Sequence, residues 1–219
     1  MANHAHTKEL AYWKMTGHTR ITMPRPQNPN VRKRLMAAGQ QLFLTQGFNG
    51  CGVQEITSAA EVPKGSFYSY FETKEAFALA VLEEFWIGVE KKFGGILRDA
   101  ALKPVERVAR YFKALSDDKA RHNYAHGCLI GNFSLEMTDV SADTRAKLSD
   151  IFERWENPII TCLREAQSKK EIAANHDLRD LAASIIESWE GAVMRAKVEQ
   201  RRSAYRRFEE IVLPSLLKR

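Results

Sequence analysis

The sequence VQEITSAAEVPKGSFYSYFETKEAF, residues 53–77, decides the fold of this 219-residue chain. Two short helical patterns, 53–60 and 64–70, flank the turn Glu61-Val62-Pro63, whose proline cannot continue the first helix. Apolar side chains at helical spacing give the pair one buried side. They are Val53, Ile56, Ala60, Val62, Phe67 and Phe71. The stretch therefore predicts two short helices packed against each other.

The second of these helices leaves polar side chains on its outer face. They are Lys64, Ser66, Tyr68 and Tyr70. A short helix braced from behind, with its N-terminal part exposed, is what reading of a DNA major groove requires. Lys64 and Lys74 would neutralise phosphates, and the helix that begins at Lys74 adds a favourable dipole. On the pattern alone, a generic helical hairpin with surface aromatic residues remains an alternative.

Helical patterns also fill the rest of the chain. Asn28-Pro29 is typical of a helix start, Gly47 of a helix end, and Thr73 of a cap for a long helix from Lys74. Beyond Pro104 we expect helices over 104–122, 128–138, 142–169, 177–199 and 203–217, with Asp177 and Ser203 as N-caps. No segment shows sustained strand alternation, so we predict an all-α fold. We divide it into a flexible N-terminal arm (1–27), a three-helix helix-turn-helix domain (28–73) and a helical ligand-sensing and dimerisation domain (74–219).

Charge is concentrated at one end of the chain. The net charge is +6, and nine Lys and Arg against four acids up to Lys74 place +5 of it in the first third. A basic end on a nearly neutral body is typical of a module that binds a polyanion, although a solvated basic surface would have the same composition.

The cysteines and the hydropathy exclude several classes of protein. Cys51, Cys128 and Cys162 are odd in number and widely spaced, which argues against a zinc site or a disulfide framework and favours a reducing cytosol. The N-terminus has no apolar signal core, and no run approaches membrane-spanning length. We expect no metal, no cofactor and no membrane partner.

The stretch from about Val31 to Phe85 closely resembles the DNA-binding domain of the TetR family of one-component regulators. The matching residues are Gln46-Gly47-Phe48, Glu55-Ile56, Val62 through Tyr68, Phe71 and Lys74-Glu75. The resemblance implies a homodimer on a palindromic operator, usually a repressor that a ligand releases. It also implies that Lys64, Ser66, Tyr68 and Tyr70 contact the operator and that Lys74 anchors a phosphate. Glu61 departs from the family, whose turn more often carries glycine.

Basic residues ahead of the first helix extend this expectation. Arg25, Arg32, Lys33 and Arg34 would reach an adjacent groove, or would serve solubility alone.

Two later segments resemble one branch of that family, which includes the regulators of acrylate utilisation and of N-ethylmaleimide reductase. They are GCLIGNFSLEM (127–137) and SWEGAVMRAKVE (188–199), and the acrylate-type regulator matches better through Gly131-Asn132 and Trp189-Glu190-Gly191. The resemblance implies a reactive or unsaturated small-molecule effector, or an oxidant, sensed at Cys128 with Lys197 nearby. We add Trp189 to this expected sensing set.

The chemistry of the cysteine supports that expectation. If Cys128 lies in the first turn of its helix, the dipole and a cation such as Lys197 favour the thiolate, which adds to activated alkenes or is oxidised. The alternatives are an inert buried thiol and a lysine that only snorkels to solvent. A cysteine enzyme with His126 as base is the rival function. Because a spacing of two residues does not place both side chains on one helical face, we predict no enzyme.

Apolar stripes on the last two helices predict the dimer interface. They are Ile185, Ile186, Trp189 and Val193, followed by Tyr205, Phe208, Val212 and Leu216. Tyr111, Phe133, Met137 and Trp155 are candidate pocket linings.

Overall fold

The computed structural model describes residues 28–139 and 141–218, and this part of the chain is helical with no strand. The predicted arm, 1–27, lies outside the described residues. The helices are α1 Pro29–Gln46, α2 Val53–Ala59, α3 Lys64–Tyr68, α4 Lys74–Leu97, α5 Pro104–Arg121, α6 Leu129–Glu136, α7 Ala142–Ser168, α8 Leu178–Glu199, α9 Ser203–Arg207 and α10 Leu213–Leu216. A π-helical turn, Phe208–Val212, joins α9 to α10. The predicted all-α fold is confirmed.

Local capping chemistry sets most of the helix boundaries. The Asn28 side chain accepts the backbone N–H of Asn30 at the start of α1, and Thr73 caps α4 in the same way. Asp177 caps α8 as predicted. The predicted cap at Ser203 is wrong, because α9 already begins at that residue and its hydroxyl donates to Glu199 instead.

Helix α1 ends at Gly47 because the chain needs a conformation there that favours glycine. Its φ is +79°, and a β-carbon at this position would overlap the carboxylate of Glu136. Gly47 therefore lets α6, which carries Glu136, approach the end of α1 closely.

The first three helices close around an aromatic core to which α4 contributes. The ring of Phe77 on α4 lies 5.8 Å from Phe43, 5.1 Å from Phe67 and 4.8 Å from Phe71, measured between centroids. Since all four rings are buried, the N-terminal half of α4 is part of the packing that supports α2 and α3.

Helices α4, α5, α7 and α8 form the body of the protein. Three buried tryptophans run through it, with ring centroids 5.9 Å apart for Trp86 and Trp155 and 5.7 Å apart for Trp155 and Trp189. On its surface, Arg154 of α7 forms a bidentate ion pair with Glu83 of α4. Among residues 28–139 and 141–218, no helix is long and apolar enough to cross a membrane.

The apolar stripes predicted to form the dimer interface pack inside the single chain. Ile185, Ile186, Trp189, Val193, Tyr205 and Phe208 are buried, and Val212 and Leu216 pack partly against the same core. The prediction is wrong for these residues, because their side chains pack the last helices against α5 and α7. The large apolar side chains left exposed in this region are Leu135, Met194, Val198 and Ile211.

Candidate DNA-binding surface and sensing site

Helix α3 presents its predicted outer face to solvent. Lys64 is exposed, Ser66 is half-buried, and Tyr68 is 55% exposed, a large value for an aromatic side chain. Phe67, between them, is completely buried, and its ring packs edge-on against that of Tyr68 at 5.3 Å. These three polar side chains therefore lie together on an accessible rod that is held from behind.

Tyr70 and Lys74 are engaged inside the domain instead. The Tyr70 hydroxyl donates to the backbone oxygen of Asn28 at 2.8 Å, which ties the end of α3 to the start of α1. The Lys74 ammonium donates to the Phe48 backbone oxygen at 2.5 Å and lies 4.1 Å from the centre of the Phe48 ring. In this conformation both side chains brace the three-helix unit, and neither is free to project from it.

The backbone conformation of Glu61 explains why glycine is common at this position of the turn. Glu61 has a φ of +53°, the left-handed region that costs a side-chain-bearing residue about 1–2 kcal/mol. Its departure from the family pattern is therefore a local strain, held in place by α2 and α3 on either side.

Cys128 caps the beginning of α6 and is not in its first turn. Its backbone is extended (φ −85°, ψ 130°) and its side chain is 5% exposed. Burial, reinforced by the neighbouring carboxylate of Glu190, raises the pKa of the thiol. The expectation that the helix dipole favours the thiolate is therefore wrong for this conformation, since desolvation has the larger effect.

The cation beside Cys128 is Lys119, a residue that the sequence analysis did not single out. Lys119 lowers the pKa of the thiol electrostatically, and its ammonium donates to the Gly127 backbone oxygen at 2.9 Å. Lys197 is half-buried and contributes to the wall of the same outer cleft as Cys128.

Cys128 separates two spaces in the body of the protein. On one side is a cavity of about 50 Å³, which we call the inner cavity. Its lining includes Phe85, Trp86, Phe93, Lys119, Cys128, Trp155 and Trp189. On the other side is a cleft of about 540 Å³ between α6 and α8, which we call the outer cleft. Its lining includes Cys128, Gly131, Asn132, Glu187, Glu190, Met194 and Lys197.

Two of the tryptophans that line the inner cavity have a buried indole N–H without a well-aligned acceptor. Trp86 Nε1 and Trp155 Nε1 are buried and have no partner within the described part of the chain, although Trp155 lies beside the Tyr111 hydroxyl. Trp189 differs, because its Nε1 donates to Ser116 Oγ at 3.1 Å. Buried donors in folded proteins are nearly always paired, so these indole N–H groups call for an acceptor atom beyond those that the described residues provide at good geometry.

The outer cleft contains an acid with one unsatisfied oxygen. Glu190 Oε1 is buried and accepts no hydrogen bond from any described residue. Burial raises the pKa of this carboxyl, and the neighbouring thiol and Lys119 lower it.

Helix α6 connects the sensing site to the DNA-binding domain. Glu136, at its last position, accepts the backbone N–H of Asn49 at 2.8 Å. Phe133 packs edge-on against Phe43 and Phe48, with centroids 5.3 and 6.2 Å apart. The helix that begins beside Cys128 thus ends against the three-helix unit.

The predicted sensing residues are brought together only in part. Cys128 and Trp189 share the inner cavity, and Cys128 and Lys197 share the outer cleft. His126, the base considered for an enzyme, stacks on His122 at 5.3 Å and has its Nε2 3.4 Å from Gln41 on α1. No group of three or more His, Cys, Asp or Glu suited to a metal ion occurs within 28–139 and 141–218.

Comparison with known proteins identifies both halves of the chain. Residues 35–81 match the family model for bacterial regulatory proteins of the tetR family, and residues 104–212 match that for the tetracyclin repressor-like C-terminal domain. The chain is 42% identical to the HTH-type transcriptional repressor DhaR of Mycobacterium sp. (strain GP1), over 85% of this chain and 92% of that protein.

Further relatives agree in sequence and in structure. Transcriptional regulator AcuR of Cereibacter sphaeroides is 36% identical over 80% of both chains. The reduced form of E. coli NemR superposes with a TM-score of 0.74 at 27% identity, over 86% of this chain and 98% of that one; the repressor NemR of E. coli K12 is 32% identical over 78% of this chain and 86% of that protein. Because such relatives share both halves of the chain, it belongs to the TetR family and is a DNA-binding transcriptional repressor of that type.

Proposed function

We propose that this repressor, as a homodimer, reads a short palindromic operator with α3 and leaves it when a small electrophile reacts with Cys128. The exposed Lys64, Ser66 and Tyr68 support the first part, since a two-fold operator needs one such rod from each protomer. The exposed Met194 and Val198 on α8, with Leu135 on α6, supply the apolar surface for a second copy.

The observation that carries the sensing proposal is the pair of open indole donors beside a thiol. An effector that fills the inner cavity gains two hydrogen bonds if it presents a carbonyl oxygen to Trp86 and Trp155. Cys128 lines the same cavity, so an alkene conjugated to that carbonyl would lie next to the sulfur. The aromatic lining and its indole donors favour such a carbonyl compound over a hydroperoxide oxidant.

The volume of the inner cavity limits the size of the effector. At roughly 10–15 Å³ for each water-sized group, a volume of about 50 Å³ holds about four such groups. Small α,β-unsaturated carbonyl compounds, with four or five non-hydrogen atoms, fit that limit. A neutral or weakly polar body also fits the aromatic lining.

We infer that α6 carries the signal to the DNA. Covalent growth at Cys128 would press on the start of α6, and its end holds Asn49 through Glu136 and contacts Phe43 through Phe133. A shift of this short helix would reposition α1, and with it α2 and α3, so that the two reading helices of a dimer no longer match their half-sites.

The test measures operator binding by fluorescence anisotropy, with DNA that flanks the protein's own coding region. Acrylamide should release wild-type protein, whereas its saturated analogue propionamide should not. Cys128→Ser should retain DNA binding and resist acrylamide. Cys162→Ser is the matched control, because that buried thiol donates to the Leu97 backbone oxygen, lines neither the inner cavity nor the outer cleft, and can be replaced by a hydroxyl. Unchanged release of Cys128→Ser by acrylamide would refute covalent sensing.

The DNA-reading part has its own test. Tyr68→Ala should weaken binding to the operator more than binding to random DNA, whereas Lys64→Ala should weaken both and flatten the salt dependence. Equal losses on both DNAs for Tyr68→Ala would remove the claim that α3 reads sequence.

A further inference from the structure

Glu190 and Cys128 converge on the same point of the outer cleft. A β-carbon built on Gly131 would lie 2.6 Å from Glu190 Oε2 and 3.9 Å from Cys128 Cβ. The glycine thus leaves space in which the carboxylate of α8 and the thiol at the start of α6 meet. Each group affects the ionisation of the other, which is consistent with direct contact.

No ion pair explains why the carboxylate of Glu190 is enclosed in this part of the structure. Glu83 provides the contrast: it pairs with Arg154 and Lys147, and the pKa of its carboxyl falls to about 2. Glu190 forms no ion pair with any described residue, and its buried Oε1 accepts no hydrogen bond, while the Cys128 thiol is a hydrogen-bonding neighbour of its carboxyl group. A buried carboxylate without a paired cation destabilises a fold, so its presence beside a thiol calls for a function.

The thiol itself needs assistance in order to react. A thiol whose pKa is 9 or higher is about 1% thiolate or less at pH 7. The N-cap position of Cys128 does not compensate, since burial outweighs the dipole. A base in contact with the sulfur would remove this barrier, because the proton then moves within the pair and no net charge enters the cavity.

We propose that Glu190 is the base that takes the proton of Cys128 when the effector arrives. The inference rests on the proposed function, the addition of Cys128 to an activated alkene. The Glu190 carboxylate accepts the S–H proton while the sulfur forms a bond to the β-carbon of the alkene, and the alkene electron pair moves onto the α-carbon and its carbonyl. The α-carbon then takes a proton from water, and the Glu190 carboxylic acid gives its proton back to water in the outer cleft. The sum is the addition of S–H across the double bond, with no oxidant and no leaving group.

A purely electrostatic role of Glu190 would have the opposite sign. A negative charge beside a thiol raises the pKa of the thiol, so its removal would make Cys128 more reactive. A base, in contrast, slows the reaction when it is removed, commonly by about 10²–10⁴-fold. The effect of one substitution on the rate therefore separates the two roles.

The experiment follows adduct formation at Cys128 with acrylamide, by intact mass and by peptide mapping of the full-length protein. Glu190→Gln should slow the adduct at pH 7 by at least about 10-fold, and Glu190→Asp should recover part of the rate. Glu187→Gln is the matched control, because this exposed carboxylate lines the same cleft one turn earlier on α8. It should react like wild type.

The pH profile provides a readout that a structural role would not change. The other charged or titratable groups around the pair are Lys119 and Tyr111 from α5, Tyr205 from α9, and Glu187 and Lys197 from α8. Burial raises the pKa of both tyrosines. The wild-type rate should rise as Glu190 ionises, with a pKa above that of an ordinary glutamate, and Glu190→Gln should lose this step and rise only as the thiol ionises.

Each outcome decides the proposal. A rate in Glu190→Gln equal to or above that of wild type overturns it, as does a wild-type profile with a single rise at the ionisation of the thiol, a measurement that needs no variant to fold. If Cys128→Ser resists acrylamide but Glu190→Gln reacts normally, only the base is refuted. If Cys128 forms no adduct in the wild type, the proposed sensing chemistry has failed first.

Discussion

Replacing Trp86 with phenylalanine should stabilise the effector-free protein and weaken effector binding. The substitution keeps an aromatic ring in the core but removes the five-membered ring with its indole N–H, which is buried without an acceptor in the described chain. Trp189→Phe is the matched comparison, since Trp189 lies in the same row of rings and lines the same cavity, but its N–H is bonded to Ser116. The two variants lose the same atoms from different hydrogen-bonding environments.

The magnitudes follow from the two environments. Loss of about 40 Å³ of buried side chain costs ~1 kcal/mol at either site, at about 24 cal/mol per Å³. At Trp86 the removal of an unsatisfied buried donor returns about 1–3 kcal/mol, so the net change is a stabilisation of ~1 kcal/mol. At Trp189 the loss of a real hydrogen bond adds ~1 kcal/mol, for a destabilisation of ~2 kcal/mol. The variants should therefore differ by about 3 kcal/mol, or roughly 6–12 °C in Tm.

Urea unfolding followed by far-UV circular dichroism measures the first quantity, at one fixed protomer concentration because a dimer's stability depends on it. Acrylamide release of operator DNA measures the second, where loss of one hydrogen bond from Trp86 should raise the half-effective concentration by about 5–10-fold. Trp86→Phe that is as unstable as Trp189→Phe would refute the claim that the Trp86 N–H is unpaired. A stable Trp86→Phe with unchanged effector response would show that the effector does not use this donor.

Three further predictions concern Glu61 in the turn between α2 and α3, the ion pair of Glu83 with Arg154, and the hydrogen bond from Asn49 to Glu136. Glu61→Gly should raise the free energy of unfolding by up to ~1 kcal/mol in urea, because relief of the left-handed strain exceeds the extra freedom of glycine in the unfolded chain. Glu83→Gln should destabilise by ~1 kcal/mol at pH 7 after allowance for solvent screening. Since the folded pKa of Glu83 is about 2, below the ordinary 4.5, this stability is present above pH 4.5 and lost as the pH falls toward 2, where thermal unfolding of variant and wild type should converge. Glu136→Ala should leave acrylamide adduct formation intact and reduce release of DNA. Glu136→Gln keeps an acceptor for the Asn49 N–H and should still release DNA. Equal release by the two variants, measured by fluorescence anisotropy, would exclude this contact from the signal.

The sequence predicted the features that depend on local pattern. Phe67 and Phe71 gave the buried side of α3, and the caps at Asn28 and Thr73 were visible as residue types at helix starts. The environments of individual side chains were not predictable in this way. Tyr70 reaches back to Asn28, 42 residues earlier in the chain, and no helical periodicity contains that contact.

The sensing site shows the same limit more sharply. Helical position suggested a thiolate at Cys128, but its ionisation depends on burial by α4, α5 and α7 and on a carboxylate from α8. Glu190 and Glu136 both occur in the segments that resembled one branch of the family, where an acid within an apolar run was the available signal. No sequence signal pointed to Trp86, because a tryptophan on the apolar stripe of a long helix has the same pattern whether or not its N–H is paired.

The length of α6 limits how the two halves of the protein communicate. Eight residues at 1.5 Å each give a rod of about 12 Å, so a change at Cys128 reaches Asn49 through a single rigid element. A hydrogen bond to a charged carboxylate contributes about 1.5–3 kcal/mol. Loss of the bond from Asn49 to Glu136 can therefore change operator affinity by about 10–100-fold per protomer, the range usual for coupling between two sites. If the proposed dimer must hold both half-sites at once, a change of this size in each protomer would be enough to empty the operator, without unfolding of the DNA-binding domain.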